Sequence, residues 1–504
     1  MPNTPPSLKD GIRLDDIPDG GMLRAALDDE SLLLVRRGQE VFAIAAECSH
    51  YHGPLAEGLL AGNTLRCPLH HACFDLRTGE ALRAPALDPI SCWRVERRGD
   101  RIFVGDKLTA PARRLSKAGV PRSVLIVGGG AAALAAAVTL RREGYEGALT
   151  MLSADDSAPY DRPNLSKDFL AGNAPDEWMP LRSPEFYSDH RIDLVLNARA
   201  TSLDVGSRRV TLSSGRNFSY DALLLATGAE PNRLDIAGAA EGQICYLRTF
   251  ADCRAIIAKV ASAARVAVVG ASFIGLEVAA SLRARGIETH VIAPEAVPME
   301  HILGTEVGRF LQGWHQSHGV IFHLGTTVKQ LQGRLLTLMD QTRLEVDVVV
   351  AGIGVRPAVA LAQAAGLALD RGVLVDEYLQ TSAPGVFAAG DIARWSDRYS
   401  GERIRVEHWV VAERQGQAAA RNMLGYAEPF QAVPFFWSQH YDLKINYLGH
   451  AERWDGVDID GSLEAHNCAV SYRQGDRTLA RATIGRDLES LQAEWAQESR
   501  AHGS

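Results

Sequence analysis

A short apolar run, Val124-Leu125-Ile126-Val127, leads straight into Gly128-Gly129-Gly130-Ala131-Ala132-Ala133, and an alanine-rich stretch follows to about Glu143. Consecutive apolar residues of this kind make a strand covered on both faces, which belongs to a parallel sheet. Gly128 and Gly130, with Ala133 three places on, permit a tight strand-to-helix turn. The helix N-terminus then offers amide donors and positive dipole to a pyrophosphate. The device recurs: Val266-Ala267-Val268-Val269 runs into Gly270-Ala271-Ser272-Phe273-Ile274-Gly275, followed by a helix through Arg285 and a strand from Thr289 to Ile292. One glycine-rich loop is weak evidence. Two, each between a strand and a helix, call for two doubly wound α/β units and two dinucleotides.

Other segments fit these units. A strand from Ala148 to Leu152 ends at Ser153-Ala154-Asp155, an acid placed to hold a ribose hydroxyl. Leu223-Leu224-Leu225-Ala226-Thr227-Gly228-Ala229 and Gly385-Val386-Phe387-Ala388-Ala389-Gly390-Asp391 are strands ending in small residues that can pass close to a cofactor. Two dinucleotides in one chain point to a flavin reduced by a nicotinamide. No cysteine lies between Cys92 and Cys245, which argues against a redox dithiol beside the flavin.

A different electron carrier is legible near the N-terminus. Cys48 and His50 are followed, after sixteen intervening residues, by Cys67 and His70. Two thiolates and two imidazoles suit a [2Fe–2S] centre of mixed ligation, whose potential sits at about −150 to +300 mV against about −400 mV for all-cysteine clusters. Zn²⁺ also accepts two cysteines and two histidines. The wording favours iron: Cys48-Ser49-His50-Tyr51-His52-Gly53-Pro54-Leu55, and Cys67-Pro68-Leu69-His70 through Phe74-Asp75 and Gly79, resemble the two cluster-binding loops of Rieske domains. Spacing selects His50 and His70 over the neighbouring His52 and His71. Gly53 and Leu69 stand where high-potential Rieske proteins carry a disulfide, so the resemblance is to the ferredoxin-like class. Cys73 and Cys92 are read as buried thiols.

At 504 residues the chain needs three or four domains. Residues 1–107 are read as the all-β Rieske domain, with a hairpin of Leu32–Val35 and Val41–Ile44 turning at Arg37-Gly38. Residues 108–121 form a basic, proline-containing linker; 122–245 and 353–428 are the two parts of an FAD-binding domain; 246–352 bind NAD(P); and 429–504 make a small α+β C-terminal domain with a terminal helix around Leu488 to Gln497. A net charge of −8 gives no reason to expect nucleic acid. No apolar run is long enough to span a membrane, and the N-terminus has neither a basic leader nor an apolar core. Seven cysteines without an evenly spaced framework suit a reducing compartment, with the cytoplasm as the default.

Along nearly its whole length the chain resembles the apoptosis-inducing-factor-like and oxygenase-type ferredoxin reductases, in the variant with an N-terminal Rieske domain. The residues that carry this are Pro159-Tyr160-Asp161-Arg162-Pro163-Asn164-Leu165-Ser166-Lys167, Ala226-Thr227-Gly228, Phe273-Ile274-Gly275-Leu276-Glu277, the Gly385–Asp391 strand and Phe436-Trp437-Ser438. The resemblance implies FAD in the first nucleotide unit, NADH or NADPH in the second, and a C-terminal domain over the far side of the flavin. Beside it, Asp155 is read as the ligand of the FAD ribose and Asp391 as that of the ribityl or pyrophosphate part. Lys167 is read as a cation at the redox-active flavin nitrogen and Glu277 as its ionic partner. Surface exposure of Lys167, and an ordinary helix-terminal role for Glu277, are the plainer alternatives. Arg162 is placed at the flavin; His408, Trp409 and Trp437 line its pocket or are simply core aromatics.

The second nucleotide motif departs from the pattern. Ser272 replaces a glycine, Ala293-Pro294 stand where an acid would hold the NADH ribose, and Glu295 follows late. NADH through Glu295 is favoured over NADPH. The expected chemistry is hydride transfer to FAD, then single electrons to the cluster and on to an oxygenase, a haem monooxygenase or a ferredoxin. Transfer within one chain and across a homodimer both stay open. A slow-turnover, NADH-responsive redox sensor is the alternative function.

Overall fold

The computed structural model describes residues 6–109, 115 and 119–502. Most of the expected 108–121 linker therefore lies outside the described residues.

The N-terminal domain is all-β. Its larger sheet is antiparallel, in the order Ile12–Arg13, Arg101–Lys107, Cys92–Arg98, Glu40–Ala45, Glu30–Arg37, Met22–Leu27. The hairpin between Glu30–Arg37 and Glu40–Ala45 closes with Arg37 opposite Glu40, and Gly38 takes the left-handed turn at φ 61°. A second sheet of four short strands, Leu59–Ala61, Thr64–Arg66, Cys73–Asp75 and Ala81–Arg83, carries the loop from Cys67 to Ala72. Leu33, Val35, Ile44, Leu55, Leu65 and Phe74 fill the space behind the cluster-binding loops.

Two five-stranded parallel sheets follow. The first runs Asp193–Val195, Ala148–Leu152, Ser123–Val127, Ala222–Leu225, Val386–Ala388; the second runs Ile244–Tyr246, Val348–Ala351, Arg265–Val269, Glu288–Ala293, Val320–Leu324. Ala222–Leu225 and Val348–Ala351 are buried along their whole length, as strands covered on both faces require. Ile244–Tyr246 straddles the 245/246 boundary read from the sequence, and it pairs entirely within the second sheet. Both glycine loops sit at the carboxyl edge of the central strand, the crevice where such sheets bind ligands. The C-terminal domain is a five-stranded antiparallel sheet, from Phe435–His440 to Arg477–Ile484, backed by the helix Asp487–His502. Among the described residues no helix is long and apolar enough to cross a membrane.

Candidate functional site

A single cleft of about 1870 Å³ runs from the first glycine loop to the second. Steric facts explain the sequence at both ends. A Cβ on Gly128, whose φ is +142°, would stand 2.1 Å from the Ala226 carbonyl oxygen, and one on Gly129 would stand 2.3 Å from Ser153 Oγ. Gly130 faces open space, so the chain leaves the strand with bare backbone toward the cleft. The helix Ala131–Arg142 has no side-chain cap, and neither has the helix Trp409–Met423 beginning after His408. Two uncapped N-termini therefore meet one cleft, their free amides suited to an anionic dinucleotide. Ala133 is fully buried. The two helices cross closely because Gly416 has no side chain; a Cβ there would lie 2.2 Å from the Ala132 carbonyl oxygen.

The charged lining also fits FAD. Asp155 lines the cleft and its Oδ2 accepts from the Tyr160 hydroxyl at 2.8 Å. Arg248 reaches Asp391 Oδ2 at 2.7 Å, and Arg162 donates to the Arg248 carbonyl at 2.7 Å. Burial, then the charge of Arg248, lowers the pKa of Arg162, a strain that a bound phosphate would relieve. Thr227 donates to the Ala358 carbonyl at 2.8 Å, while Gly228 (φ +70°) turns beneath the Arg248 guanidinium. Gly390 N donates to Gln415 Oε1 at 2.8 Å. His408 is kept neutral by burial, its pKa lowered to about 3, and its Nδ1 is buried without a partner.

Lys167 and Glu277 meet across the two nucleotide units. Lys167 Nζ lies 2.8 Å from Glu277 Oε2, at side-chain exposures of 13% and 5%. The same oxygen accepts from Ser166 Oγ at 2.5 Å, and Oε1 accepts from Ser438 Oγ at 2.6 Å. Buried on these terms, the carboxylate is compensated by a cation and hydroxyls. At the second loop Ser272 caps its own helix, accepting from Gly275 N at 3.3 Å, and donates to the Gly352 carbonyl at 2.8 Å. Gly275 passes so close to Gly270 that a Cβ would lie 2.2 Å from its carbonyl oxygen. Phe273 and the 42%-exposed Ile274 line the cleft, whereas Glu295 is absent from its walls.

The two cysteine loops close in the same way. Cys48 N donates to the Gly53 carbonyl and His52 N to that of Cys48; Cys67 N donates to the Ala72 carbonyl and His71 N to that of Cys67. His52 and His71 both take positive φ, 51° and 63°, which gives them the loop-closing corner. His50 Nδ1 and His70 Nδ1 lie 3.2 Å apart. The Cys48 thiol donates to Cys67, raising the first pKa and lowering the second. Burial lowers His50 to about 4 and His70 well below its usual value, so both imidazoles keep a bare nitrogen at neutral pH. Among the described residues no three such donors converge as around one metal ion. They stand as a thiol pair and an imidazole pair, the partition a dinuclear mixed-ligand cluster needs. Cys73 and Cys92 are buried free thiols.

The cluster end of this domain is seated on the flavin cleft. The His70 ring lies 4.1 Å from that of Trp437, a cleft-lining residue, and the Tyr51 hydroxyl donates to the Asp161 carboxylate. Around this contact, Glu494 of the C-terminal helix, fully buried, meets Arg414 at 2.7 Å, His71 at 3.1 Å and Arg66 at 3.4 Å. Glu498 meets Arg83 at 2.6 Å and Arg66 at 2.7 Å. Burial alone would raise the pKa of Glu494; Arg414, His71 and Arg83 together outweigh it and hold the carboxyl well below its usual range. Arg182 adds a bidentate pair to Asp88 at 2.6 and 3.0 Å. Sequence reasoning passed over Arg248, Arg414, Glu494 and Gly416, none of which carries a local motif.

An N-terminal mixed-ligand cluster domain docked on a two-nucleotide cleft defines an iron–sulfur flavoprotein reductase. The pyridine nucleotide-disulphide oxidoreductase family model matches residues 122–416, the Rieske [2Fe-2S] domain model residues 11–94 and the reductase C-terminal model residues 435–502. The chain belongs to the pyridine nucleotide-disulphide oxidoreductase family, with FAD, NAD(P)H and a [2Fe–2S] cluster as its cofactors. It is 34% identical to human apoptosis-inducing factor 3, over 94% of this chain and 81% of that one. It is 35% identical to the putidaredoxin reductase of Pseudomonas putida, over 74% and 90%. Among solved structures, the covalent putidaredoxin reductase–putidaredoxin complex superposes with a TM-score of 0.72 at 34% identity, covering 76% of this chain and 94% of that one.

Proposed function

We propose that this NAD(P)H-dependent oxidoreductase sends its electrons out through its own Rieske cluster, within one chain, to a protein acceptor such as an oxygenase component, a haem monooxygenase or a ferredoxin. The contact of His70 with Trp437 at the flavin cleft carries the proposal. When bound, the flavin takes two electrons as a hydride and releases them singly, the form in which a [2Fe–2S] cluster carries them. The chain's residues do the positioning. Gly128, Gly130 and the uncapped helix amides hold the pyrophosphate, Asp155 a ribose, and Arg162, Arg248 and Asp391 the central part of the dinucleotide. Lys167, fixed by Glu277, sets a positive charge where electron density builds, and Phe273 and Ile274 border the nicotinamide path. Cys48, Cys67, His50 and His70 hold the cluster.

NADH is the proposed donor. Support comes from the ferredoxin–NAD(+) reductase component of the anthranilate 1,2-dioxygenase system of Burkholderia cepacia, 37% identical over 72% of this chain. A cytoplasmic setting fits the reduced thiols. Nothing in this arrangement requires a second copy of the chain. Anaerobic mixing with one equivalent of NADH, following flavin and cluster absorbance separately, tests the proposal: the cluster should reduce as the flavin is reoxidised, and a cluster still oxidised after minutes refutes it. The likeness to apoptosis-inducing factor 3 supports a second reading, a slow redox sensor. Turnover of tens per second with an artificial acceptor favours the reductase, and far below one per second the sensor.

A further inference from the structure

Behind the Lys167–Glu277 pair runs a buried line of polar groups that the proposed function leaves unused. Ser438 Oγ lies 2.6 Å from Glu277 Oε1, His440 Nε2 lies 3.1 Å from Ser438 Oγ, and His315 Nε2 lies 3.1 Å from His440 Nδ1. The residues come from three places: Glu277 from the helix Phe273–Ala284, Ser438 and His440 from the strand Phe435–His440, and His315 from the helix Glu300–Ser317. Ser438, His440 and His315 are each at most 1% exposed.

Donor and acceptor counting fixes the polarity of the line. An ionised carboxylate only accepts, so Ser438 donates to Glu277. The Ser438 oxygen then accepts from His440 Nε2–H, and His440 Nδ1 accepts from His315 Nε2–H. This leaves His315 Nδ1 bare, and that atom is buried without a partner. Burial keeps both imidazoles neutral, lowering His440 to about 3 and His315 well below its usual value. Every hydrogen therefore points toward the flavin cleft, and the far end is an open acceptor. A buried polar atom of this kind calls for water or for a working role.

We propose that Ser438, His440 and His315 form a proton relay that feeds the Glu277–Lys167 pair at the flavin. The proposal rests on the NAD(P)H–flavin reading given above. A hydride brings two electrons and a net charge of −1 into the cleft, while the one-electron carrier beyond it removes electrons and takes no proton. Arrival of a proton at His315 Nδ1 shifts one proton at each link, from His315 Nε2 to His440, from His440 Nε2 to Ser438 and from Ser438 to Glu277. With FAD bound, Lys167 would supply a proton toward the flavin and be reprotonated by Glu277. The shift leaves each relay group with its donor pointing outward, ready to return a proton. Two single-electron departures then free two protons, so one NAD(P)H oxidised leaves one net proton to discharge. The balance closes with no further reactant.

The test mixes the FAD-loaded full chain, its cluster reduced beforehand with one electron equivalent of dithionite, anaerobically with one equivalent of NADH in weakly buffered solution containing a pH-indicator dye. Flavin bleaching and proton uptake are recorded together. In the native chain uptake should keep pace with bleaching. In Ser438→Ala it should trail by about tenfold or more, and Ser438→Thr, which keeps the hydroxyl, should restore it. His315→Phe, remote from the cleft, should show the same lag and carries the test if Ser438→Ala does not hold FAD. Uptake in step with bleaching in Ser438→Ala or His315→Phe overturns the relay, because these residues would then only hold Glu277 in place. Failure of NADH to bleach the native flavin overturns the reductase reading instead.

Discussion

Glu494→Gln tests whether the Rieske domain is fixed on the flavin cleft by its buried ionic contacts. The glutamate is fully buried and shared by Arg414, Arg66 and His71, with Arg83 3.7 Å away. The amide keeps the volume but removes the charge, leaving the Arg414 guanidinium without its carboxylate and Arg66 and Arg83 sharing Glu498 alone in a dry interface. Removing one partner of a buried pair costs about 3–5 kcal/mol. Undocking returns Arg66, Arg83 and His71 to water, so most of the cost falls on the docked state. The docking equilibrium should therefore weaken by about two to four decades. Stopped-flow reduction of the cluster by NADH should slow while flavin bleaching persists, and small-angle scattering should show a larger radius of gyration. The pH dependence has a definite sign. Because the folded pKa of Glu494 is depressed, its contribution is fully present above the unfolded value of about 4.3 and is lost as pH falls through the lower folded value. Docking should not vary through Glu494 between about pH 5 and 8. Unchanged cluster reduction and scattering in Glu494→Gln would show that the ionic contacts do not hold the domain.

Three further variants separate roles at the site. Lys167→Ala should keep FAD yet slow flavin reduction by about 10²–10³, the usual cost of one preorganised electrostatic group; unchanged stopped-flow bleaching removes Lys167 from the catalytic set. His70→Ala should lose the cluster's iron, whereas His71→Ala should keep two irons per cluster and loosen the docked domain; metal analysis and low-temperature electron paramagnetic resonance decide, and zinc in the native protein refutes the iron assignment.

The parts legible in the sequence were those where the backbone itself demands a residue type. Gly128 and Gly275 announce the two nucleotide loops because a side chain would collide with the Ala226 or Gly270 carbonyl. The four proposed cluster ligands are legible because they lie in two short loops of matching hydrogen-bond pattern. What stayed hidden arises between segments distant in the chain. Arg248 gains meaning only beside Asp391, and Glu494 only beside Arg66, Arg83 and Arg414. Ser438 was visible as part of a motif, but its bond to Glu277 was not. Glu295 lies outside the residues lining the cleft, and its backbone carbonyl accepts from Gly325 N.

Fusion of the carrier to its reductase should also show in the response to salt. Encounter between separate charged proteins is steered by long-range fields, which ionic strength screens over about 8–10 Å. On the proposed route the first transfer needs no encounter, since His70 already rests on Trp437, and the Arg66–Arg414–Glu494 cluster beside it is buried and therefore screened much less than surface charges. Cluster reduction should therefore follow first-order kinetics independent of protein concentration, with little change as salt rises from about 0.05 to 0.5 M. Delivery to an external acceptor remains a bimolecular step between exposed surfaces and should vary with salt. If cluster reduction instead scales with protein concentration and falls steeply with salt, transfer between separate chains is the operative route, and the intramolecular contact at Trp437 is not the path.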